Sequence, residues 1–311
     1  MLFLATLISD TKTIKLGTGT INIPCMHPAA IAAQVAMLDN MLEGRFIMGI
    51  SPGGLISDAE VFGNLNNDRN AMFVEGIDMV LKIWESDPPY KLQGKFWNVT
   101  TEKTMIPEIG QGYILKPFQK PHPLIVGTVV APFSKGVTAM AERGWQPISA
   151  NFLMPEWVKT HWPNYAEGRK NVGQVANPAD WRVAKSIFVA DDEKTAQRYG
   201  KTAEGPYHFY FKQLIRKLVG FAGRGNLFKV DQSMPDAAIT PDYVADKLVI
   251  AGTVNNVVDQ ILAFREKVGD FGTLIYACHD WIDPALGKRS MQLMAEEVMP
   301  RVNAALGSQG K

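Results

Sequence analysis

Two of the five histidines, His27 and His279, come directly after predicted strands. In parallel α/β folds, binding and catalytic side chains lie at the carboxyl ends of the strands. An imidazole at such a place can transfer a proton or hydrogen-bond a substrate. His279 also lies in the polar and aromatic sequence Cys278-His279-Asp280-Trp281, which suits a pocket wall. We therefore predict a catalytic contact for His279 and a pocket position for His27, with a structural role as the alternative for each.

Three further segments suit a phosphate or a closely approaching ligand. The small residues of 51–54, which include Gly53, would let the backbone approach a ligand, although a plain turn has the same composition. Residues 134–136 open a helix after a buried strand, where free N–H groups and Lys135 favour a phosphate. Simple helix capping is the alternative there. Arg69 also opens a helix and could close on a phosphate, or it could be a surface residue.

Several other chemistries lack their motifs in this chain. No two histidines have helix metal-ligand spacing and HExxH is absent, so we predict no metal site. Neither a Ser-His-Asp order, a nucleophile elbow nor a Walker A sequence occurs. The glycines at 17–19 lack the third glycine of a dinucleotide fingerprint and lie inside a predicted strand, so they do not indicate a Rossmann fold.

The elements that must position these residues begin with a predicted strand at 14–23, which is rich in β-branched residues. Pro28 is placed to open a helix, and Gly44 can end it in the left-handed conformation. The apolar residues between them have helical spacing: Ile31, Val35, Leu38 and Leu42. A second strand follows at 45–50. Strand, helix and strand in so few residues predict a parallel βαβ unit.

The alternation of strands and helices continues along the chain. Further strands are predicted at 124–130, 146–151, 181–190 and 272–278. Further helices are predicted at 68–85, 134–143, 156–172, from 191 onward, at 254–264 and at 291–302. Residues 86–122 predict a loop with a hairpin around Gly94, and 200–240 predict an insertion that acts as a mobile lid. Together these elements predict a single (β/α) barrel domain over 1–311, with about six of its eight strands present.

The composition is that of an ordinary globular protein, with 46% hydrophobic and 20% charged residues among 311. A net charge of +1 provides no field for nucleic acid or an anionic membrane. No apolar run approaches the roughly 20 residues of a membrane helix. The two cysteines form no metal pattern and need no bridge, so a cytoplasmic location is expected.

Seven segments, in order, resemble the bacterial luciferase-like, flavin-dependent monooxygenase family, and within it the limonene monooxygenase-like group. They are LGTGTINIP followed after two residues by HP, LDNMLEGRF, IMGIS-x-GG, VFGNLNNDR, PLIVGTVVAPFSKG, VIAGTVNNVVDQI and VMPRV. They cover most of the chain outside about 200–245. The resemblance implies an α/β fold, a (β/α)8 TIM barrel of the luciferase-like type, which binds reduced flavin at the carboxyl ends of its strands.

The resemblance also implies positions for the cofactor, reduced FMN or FAD. Gly19-Thr20 matches the family's non-proline cis peptide beneath the flavin ring, and Ser51 matches a reactive cysteine near the flavin. Pro52, by contrast, stands where luciferase has a phosphate-binding arginine. The predicted cofactor contacts are Gly19, Thr20, Ser51, Gly53, Arg69, Ser134, Lys135, Gly136 and Asn151.

The implied reaction uses reduced flavin and O2 to insert one oxygen atom into a small apolar substrate such as a terpene, an aldehyde or an alkane. The predicted pocket is lined by His27, Met48, Phe152 and Trp281 and covered by 200–240. A separate NAD(P)H:flavin reductase would supply the reduced flavin, and a homodimer is expected. Two alternatives stay open: an F420-dependent oxidoreductase that transfers hydride, and a non-catalytic flavin-binding or degraded barrel.

The resemblance places two more βα units before the strand at 14–23, and in luciferase the second of them carries a histidine important in catalysis. This chain reaches that strand almost at Met1. A barrel opened by two strands would expose a parallel edge and an apolar interior. We therefore expect Met1 to be an internal start within a longer natural sequence.

Overall fold

The computed structural model describes residues 1–309. It consists of two compact units, Met1–Thr128 and Val129–Lys311, each built from parallel strands and helices. The predicted α/β class with mostly parallel strands is confirmed. No helix within the described range is long and apolar enough to cross a membrane.

The first unit is built around the strand Phe46–Ser51, which follows the helix Pro28–Met41. Its elements are α1 (Leu2–Thr6), β1 (Leu16–Gly17), β2 (Ile21–Asn22), α2 (Pro28–Met41), β3 (Phe46–Ser51), α3 (Ile56–Val61), α4 (Arg69–Glu85), β4 (Lys91–Gln93), β5 (Asn98–Thr100) and β6 (Leu124–Val129), whose last residue begins the second unit. Strands β1 and β2 both pair in parallel with β3, and β3 pairs in parallel with β6. The predicted parallel βαβ unit is therefore confirmed.

Helix α2 follows the apolar spacing of its sequence. Pro28 is its first residue, and the chain after it turns at Gly44, whose φ of 85° is left-handed. The apolar residues at helical spacing are all buried: Ile31, Val35, Leu38 and Leu42. Burial of this one face against the unit's core is what stabilises the helix.

The predicted strand at 14–23 is instead two short strands, β1 and β2, with a cis peptide bond between Gly19 and Thr20. Between them, Thr18 replaces ladder bonds with its side chain: Oγ1 donates to the Gly49 carbonyl at 2.8 Å and accepts from the Gly49 N–H at 2.9 Å. A Cβ atom on Gly49 would lie 1.9 Å from the Thr18 carbonyl oxygen. Only glycine therefore permits this close approach.

The hairpin predicted around Gly94 is present as the antiparallel pair β4–β5. Its turn is held from helix α4 by the carboxylate of Glu75. Oε2 accepts from the Lys95 N–H at 2.8 Å, and Oε1 accepts from the N–H groups of Phe96 and Trp97 at 2.8 and 3.0 Å. Three bonds to one charged acceptor satisfy backbone donors that a two-stranded hairpin would otherwise leave to water.

The second unit is built around one long buried strand. Its elements are α5 (Lys135–Glu142), β7 (Gln146–Ser149), α6 (Pro155–Val158), α7 (His161–Asn171), β8 (Arg182–Val189), α8 (Glu193–Lys201), α9 (Pro206–Ile215), α10 (Pro241–Leu248), β9 (Val249–Gly252), α11 (Val254–Val268), β10 (Thr273–Ala277), α12 (Pro284–Leu293) and α13 (Met299–Gln309). Strand β8 pairs in parallel with β7, β9 and β10. All but the first of its residues are buried, as is typical of a central parallel strand.

Lys185 is an exception to the apolar character of β8. It is 2% exposed, and its Nζ lies 5.0 Å from the centre of the Phe264 ring on α11. Burial lowers its pKa to about 8, against a smaller opposing effect of the Glu156 carboxylate. The strand therefore has a buried cation close to an aromatic ring.

Eight strands among residues 1–309 pair in parallel, where the sequence predicted about six. One additional strand arises because 14–23 divides into β1 and β2. The other is β9, which follows α10 with no turn residue between them, so its apolar residues continue the pattern of the helix. The predicted helix at 156–172 is likewise two helices, α6 and α7.

The predicted insertion at 200–240 is partly helical. It contains α9 and a π-helical turn at Arg216–Phe221. Several of its aromatic and aliphatic side chains belong to the second unit's core: Tyr207, Phe211, Leu227 and Phe228. A function of this segment as a lid, and a single domain over 1–311, remain predictions.

Candidate functional site

In the first unit, three predicted cofactor contacts meet at the carboxyl end of β3: Thr20, Ser51 and Gly53. The Ser51 hydroxyl donates to Asn22 Oδ1 at 2.6 Å and accepts from Thr20 Oγ1 at 2.8 Å. It also lies 3.2 Å from the Gly53 N–H, which donates to it. Gly19, the residue before the cis bond, is exposed beside this network. The arrangement fixes the direction of every hydrogen bond at this strand end.

Arg69 lies at the start of α4, beside a small cavity that it lines together with Gly53 and Cys25. Its Nη1 is buried and makes no hydrogen bond. Burial and Asp58 raise the pKa of the Cys25 thiol, and the Arg69 guanidinium opposes them. A buried guanidinium nitrogen without a partner fits an anionic oxygen, since an unpaired buried donor is costly.

His27 is exposed and caps α2. Its Nδ1 accepts from the Ala29 N–H at 3.3 Å, so its Nε2 carries the proton and donates to the Asn98 carbonyl at 3.2 Å. His27 also lines a cleft of about 270 Å³ with Phe62, Met72 and Trp97. Both of its nitrogens are used by the fold, which leaves the ring edge for an apolar contact. Met48, in contrast, is fully buried within β3.

In the second unit, residues 134–136 form the first turn of α5, as the sequence predicted. Ser134 is the N-cap residue, yet its side chain makes no capping hydrogen bond. The first N–H groups of a helix have no intrahelical acceptor, so this turn presents free donors. Lys135 and Gly136 are exposed beside them. A Cβ atom at Gly136 would lie 3.3 Å from the Ser134 hydroxyl, so glycine keeps this space clear.

His279, which follows β10, lies inside an aromatic cluster. The centre of its ring is 4.6 Å from that of Tyr210, 4.8 Å from that of Trp281 and 4.9 Å from that of Tyr207. Burial lowers the pKa of His279 to about 4, against the opposing charge of Asp280. Its Nε2 is buried without a hydrogen-bond partner. The ring is therefore neutral near pH 7 and has one polar atom free for a ligand.

Asn151 lies beside the same cluster. Its Oδ1 accepts from the Tyr210 hydroxyl at 3.0 Å, and its Nδ2 donates to the Ser186 hydroxyl at 2.9 Å. These two bonds hold the amide in place from both ends. The neighbouring Phe152 packs against the core of the unit. Each end of the Asn151 amide retains one further hydrogen-bonding position.

Tyr207, Tyr210 and Ser186 were not predicted as site residues. Both tyrosines come from α9, where they lie three positions apart and therefore on one side of the helix. Burial raises the pKa of Tyr210, so it remains a hydrogen-bond donor throughout the neutral range. The two tyrosines at 207 and 210 are the sequence signal that could have identified this side of the aromatic cluster around His279.

Comparison with known proteins identifies relatives of the chain. Residues 1–270 match the model of the family described as luciferase-like monooxygenase. The chain is 26% identical to 3,6-diketocamphane 1,6-monooxygenase of Pseudomonas putida, over 97% of this chain and 83% of that protein. It is 25% identical to limonene 1,2-monooxygenase of Rhodococcus erythropolis, over 98% of this chain and 73% of that protein.

A solved structure agrees with these matches. It is a type II Baeyer-Villiger monooxygenase in complex with FMN, the oxygenating constituent of 3,6-diketocamphane monooxygenase from the CAM plasmid of Pseudomonas putida. It superposes with a TM-score of 0.83 at 27% identity, covering 97% of this chain and 83% of the other. The luciferase-like fold predicted from the sequence segments is confirmed.

Proposed function

The chain belongs to the luciferase-like monooxygenase family and is a flavin-dependent monooxygenase, and we propose that it converts a small apolar ketone into an ester or lactone. The observation that carries this proposal is His279, a neutral histidine with one unpartnered nitrogen among three aromatic rings. Such an arrangement would offer apolar ring surface to a compact hydrocarbon frame and one hydrogen-bonding atom to a carbonyl oxygen.

Each unit, taken by itself, leaves donors free that suit an anionic group. In the second unit, the uncapped first turn of α5 and Lys135 suit a phosphate. In the first unit, taken by itself, the unpartnered Nη1 of Arg69 suits the same type of anion, and the exposed backbone at 19–20 suits an aromatic ring system. Bound reduced FMN supplies the two electrons that activate O2.

His279 would bind the carbonyl oxygen of the substrate. Because its pKa is about 4, the ring is uncharged at neutral pH, so with its proton on Nε2 it can donate a hydrogen bond without an added positive charge. A hydrogen bond to that oxygen strengthens as negative charge develops on it during attack at the carbonyl carbon. The buried ring of Tyr207 and the half-buried ring of Tyr210 limit the access of water on their side of His279, which makes this interaction stronger than it would be in solvent.

Asn151 would hold a polar group of the flavin or the substrate. Tyr210 and Ser186 fix its amide before any ligand binds, so no rotamer freedom is lost on binding. In the overall reaction, the ketone, O2 and reduced flavin give the ester, water and oxidised flavin. One oxygen atom enters the bond between the carbonyl carbon and a neighbouring carbon, and the other leaves as water.

The reduced flavin would come from a separate NAD(P)H:flavin reductase. The P. putida relative is described as an oxygenating constituent, which supports a division of labour of this kind. A homodimer is proposed on the family resemblance alone.

The proposal is tested with purified protein, FMN reduced without a reductase, and camphor-type ketones as probes under 18O2. We expect one labelled oxygen atom in a lactone product. His279→Ala should lower kcat/KM for the ketone by about tenfold to a hundredfold, the range of one or two transition-state hydrogen bonds. The matched control is His208→Gln, because His208 is next to Tyr207 on α9 and contacts the exposed carboxylate of Asp242 on α10.

The alternatives predict different results. An F420-dependent enzyme would oxidise or reduce a substrate with F420 and no O2, and a non-catalytic barrel would bind flavin without oxygen uptake. Limonene epoxidation without any lactone from ketones would replace the proposed substrate class with alkenes. Equal losses of kcat/KM in His279→Ala and His208→Gln would show that His279 has no specific role in the reaction.

A further inference from the structure

His161 connects the core of the second unit to the loop before α5. It is the first residue of α7 and has no exposed surface. Its Nε2 lies 2.9 Å from the Ala131 carbonyl, and its Nδ1 lies 2.8 Å from the Ser149 hydroxyl. That hydroxyl in turn accepts from the indole N–H of Trp181 at 2.9 Å.

The direction of each hydrogen bond between Ala131 and Trp181 follows from the groups at the two ends of the series. A carbonyl can only accept, so Nε2 of His161 carries the proton and donates to Ala131. Nδ1 must then accept from Ser149, whose oxygen remains free to accept from Trp181. Burial lowers the pKa of His161 to about 4, which keeps the ring in this neutral form at neutral pH. All three side chains are buried, so each bond would be costly to lose.

Two neighbours of His161 hold the same loop. The Phe133 N–H donates to Thr160 Oγ1 at 2.9 Å, and Asn164 Nδ2 donates to the Ser134 carbonyl at 2.9 Å. Phe133 has a φ of 50°, a left-handed conformation that a bulky residue adopts only when its surroundings impose it. The start of α7 thus supplies three hydrogen bonds that hold 131–134 in an unfavourable shape just before the first turn of α5.

We propose that His161 is a positioning residue that fixes the loop 131–134, so that the first turn of α5 is set in advance for the phosphate of FMN; this inference rests on the phosphate site proposed above. His161 is buried behind the loop, and it acts through Ala131. Its contribution should therefore appear in the affinity for the phosphate of the cofactor and not in the affinity for the isoalloxazine ring.

The test compares FMN with riboflavin, which lacks the phosphate, by fluorescence titration of the purified protein. His161→Asn keeps an acceptor near Ser149 and loses the donor to Ala131, whereas His161→Gln can place its amide near the Ala131 carbonyl. We expect His161→Asn to weaken FMN binding about fivefold to tenfold, with riboflavin binding changed by less than about twofold. His161→Gln should recover most of the loss.

Thr160→Val is a second variant, and it is nearly isosteric. Thr160 is not part of the buried series of hydrogen bonds through His161, and its replacement should also weaken FMN binding selectively. If His161→Asn fails to fold, Thr160→Val provides the test. Equal losses for FMN and riboflavin, or no loss for either, would overturn the inference. A wild-type protein that binds riboflavin as tightly as FMN would overturn the phosphate site itself. If the wild type prefers FMN to riboflavin and the variants retain that preference, only the role of His161 is overturned.

Discussion

The Tyr210 hydroxyl donates to Asn151 Oδ1 at 3.0 Å while the Tyr210 ring packs 4.6 Å from the His279 ring. One side chain therefore holds the Asn151 amide and contacts the His279 ring. Tyr210→Phe removes the first function and keeps the second. The loss of one neutral hydrogen bond corresponds to about 1 kcal/mol.

For Tyr210→Phe we expect kcat/KM to fall about fivefold, with the melting temperature almost unchanged. Steady-state oxygenation with reduced FMN and differential scanning fluorimetry measure the two quantities. Tyr113→Phe is the control, since Tyr113 is exposed in the first unit. A loss of activity in proportion to a loss of stability would mean that Tyr210 acts only through packing.

Gly49→Ala should strongly destabilise the protein. The added Cβ would lie 1.9 Å from the Thr18 carbonyl oxygen, so the connection between β1 and β2 would have to move and break both Thr18–Gly49 hydrogen bonds. We expect a loss of about 3 kcal/mol or more in the free energy of unfolding, measured with urea. Gly220→Ala is the matched control, because nothing lies within 4 Å of its Cβ position. A Gly49→Ala loss no larger than that of the control would contradict the close approach.

The neutral state of His161 predicts a pH dependence of stability. Its pKa falls from the ordinary 6.5 to about 4 on folding, mainly through burial. The stabilisation is therefore fully present above pH 6.5 and is lost as the pH falls towards 4, by about 3 kcal/mol in total. Urea unfolding at several pH values should show a shallower slope over this window for His161→Gln than for the wild type. Identical slopes would show that His161 is not the group that titrates.

The buried charge of Lys185 predicts that replacing this residue stabilises the protein. Its pKa of about 8 lies below the ordinary 10.5, so the folded protein loses stability as the pH falls from 10.5 to 8, and the full penalty is present below 8. Lys185→Met removes the buried charge at similar volume and should raise the free energy of unfolding at pH 7 by about 1–3 kcal/mol. The gain should shrink by pH 10. A destabilised variant at pH 7 would indicate that the Phe264 contact outweighs the desolvation of the ammonium group.

Local patterns predicted much of the fold. The spacing in α2 and the glycine at 44 are encoded within a few turns of chain, and each is found where expected. Strand β9 was missed because its apolar residues continue those of α10, and periodicity cannot separate the two. The division of 14–23 depends on Gly49, which is distant in sequence.

The candidate site was predictable only in part. His279 and Ser134 lie at strand and helix ends, which general rules for parallel folds identify. Tyr210 lies inside α9, and His161 begins α7, but the contacts of both join segments that are far apart in the chain. Single residues at element ends can be predicted from one sequence, but the groups that orient them require the packed structure.

The three bonds that Glu75 accepts all come from backbone N–H groups, so any residue except proline at 95–97 can supply them. The turn should therefore tolerate wide sequence variation without changing its course, while the single acid on α4 should tolerate almost none. Trp97 lines the 270 Å³ cleft from the end of that turn. Libraries that randomise residues 95 and 96 offer a way to alter the rim of this cleft while the position of its indole stays constant.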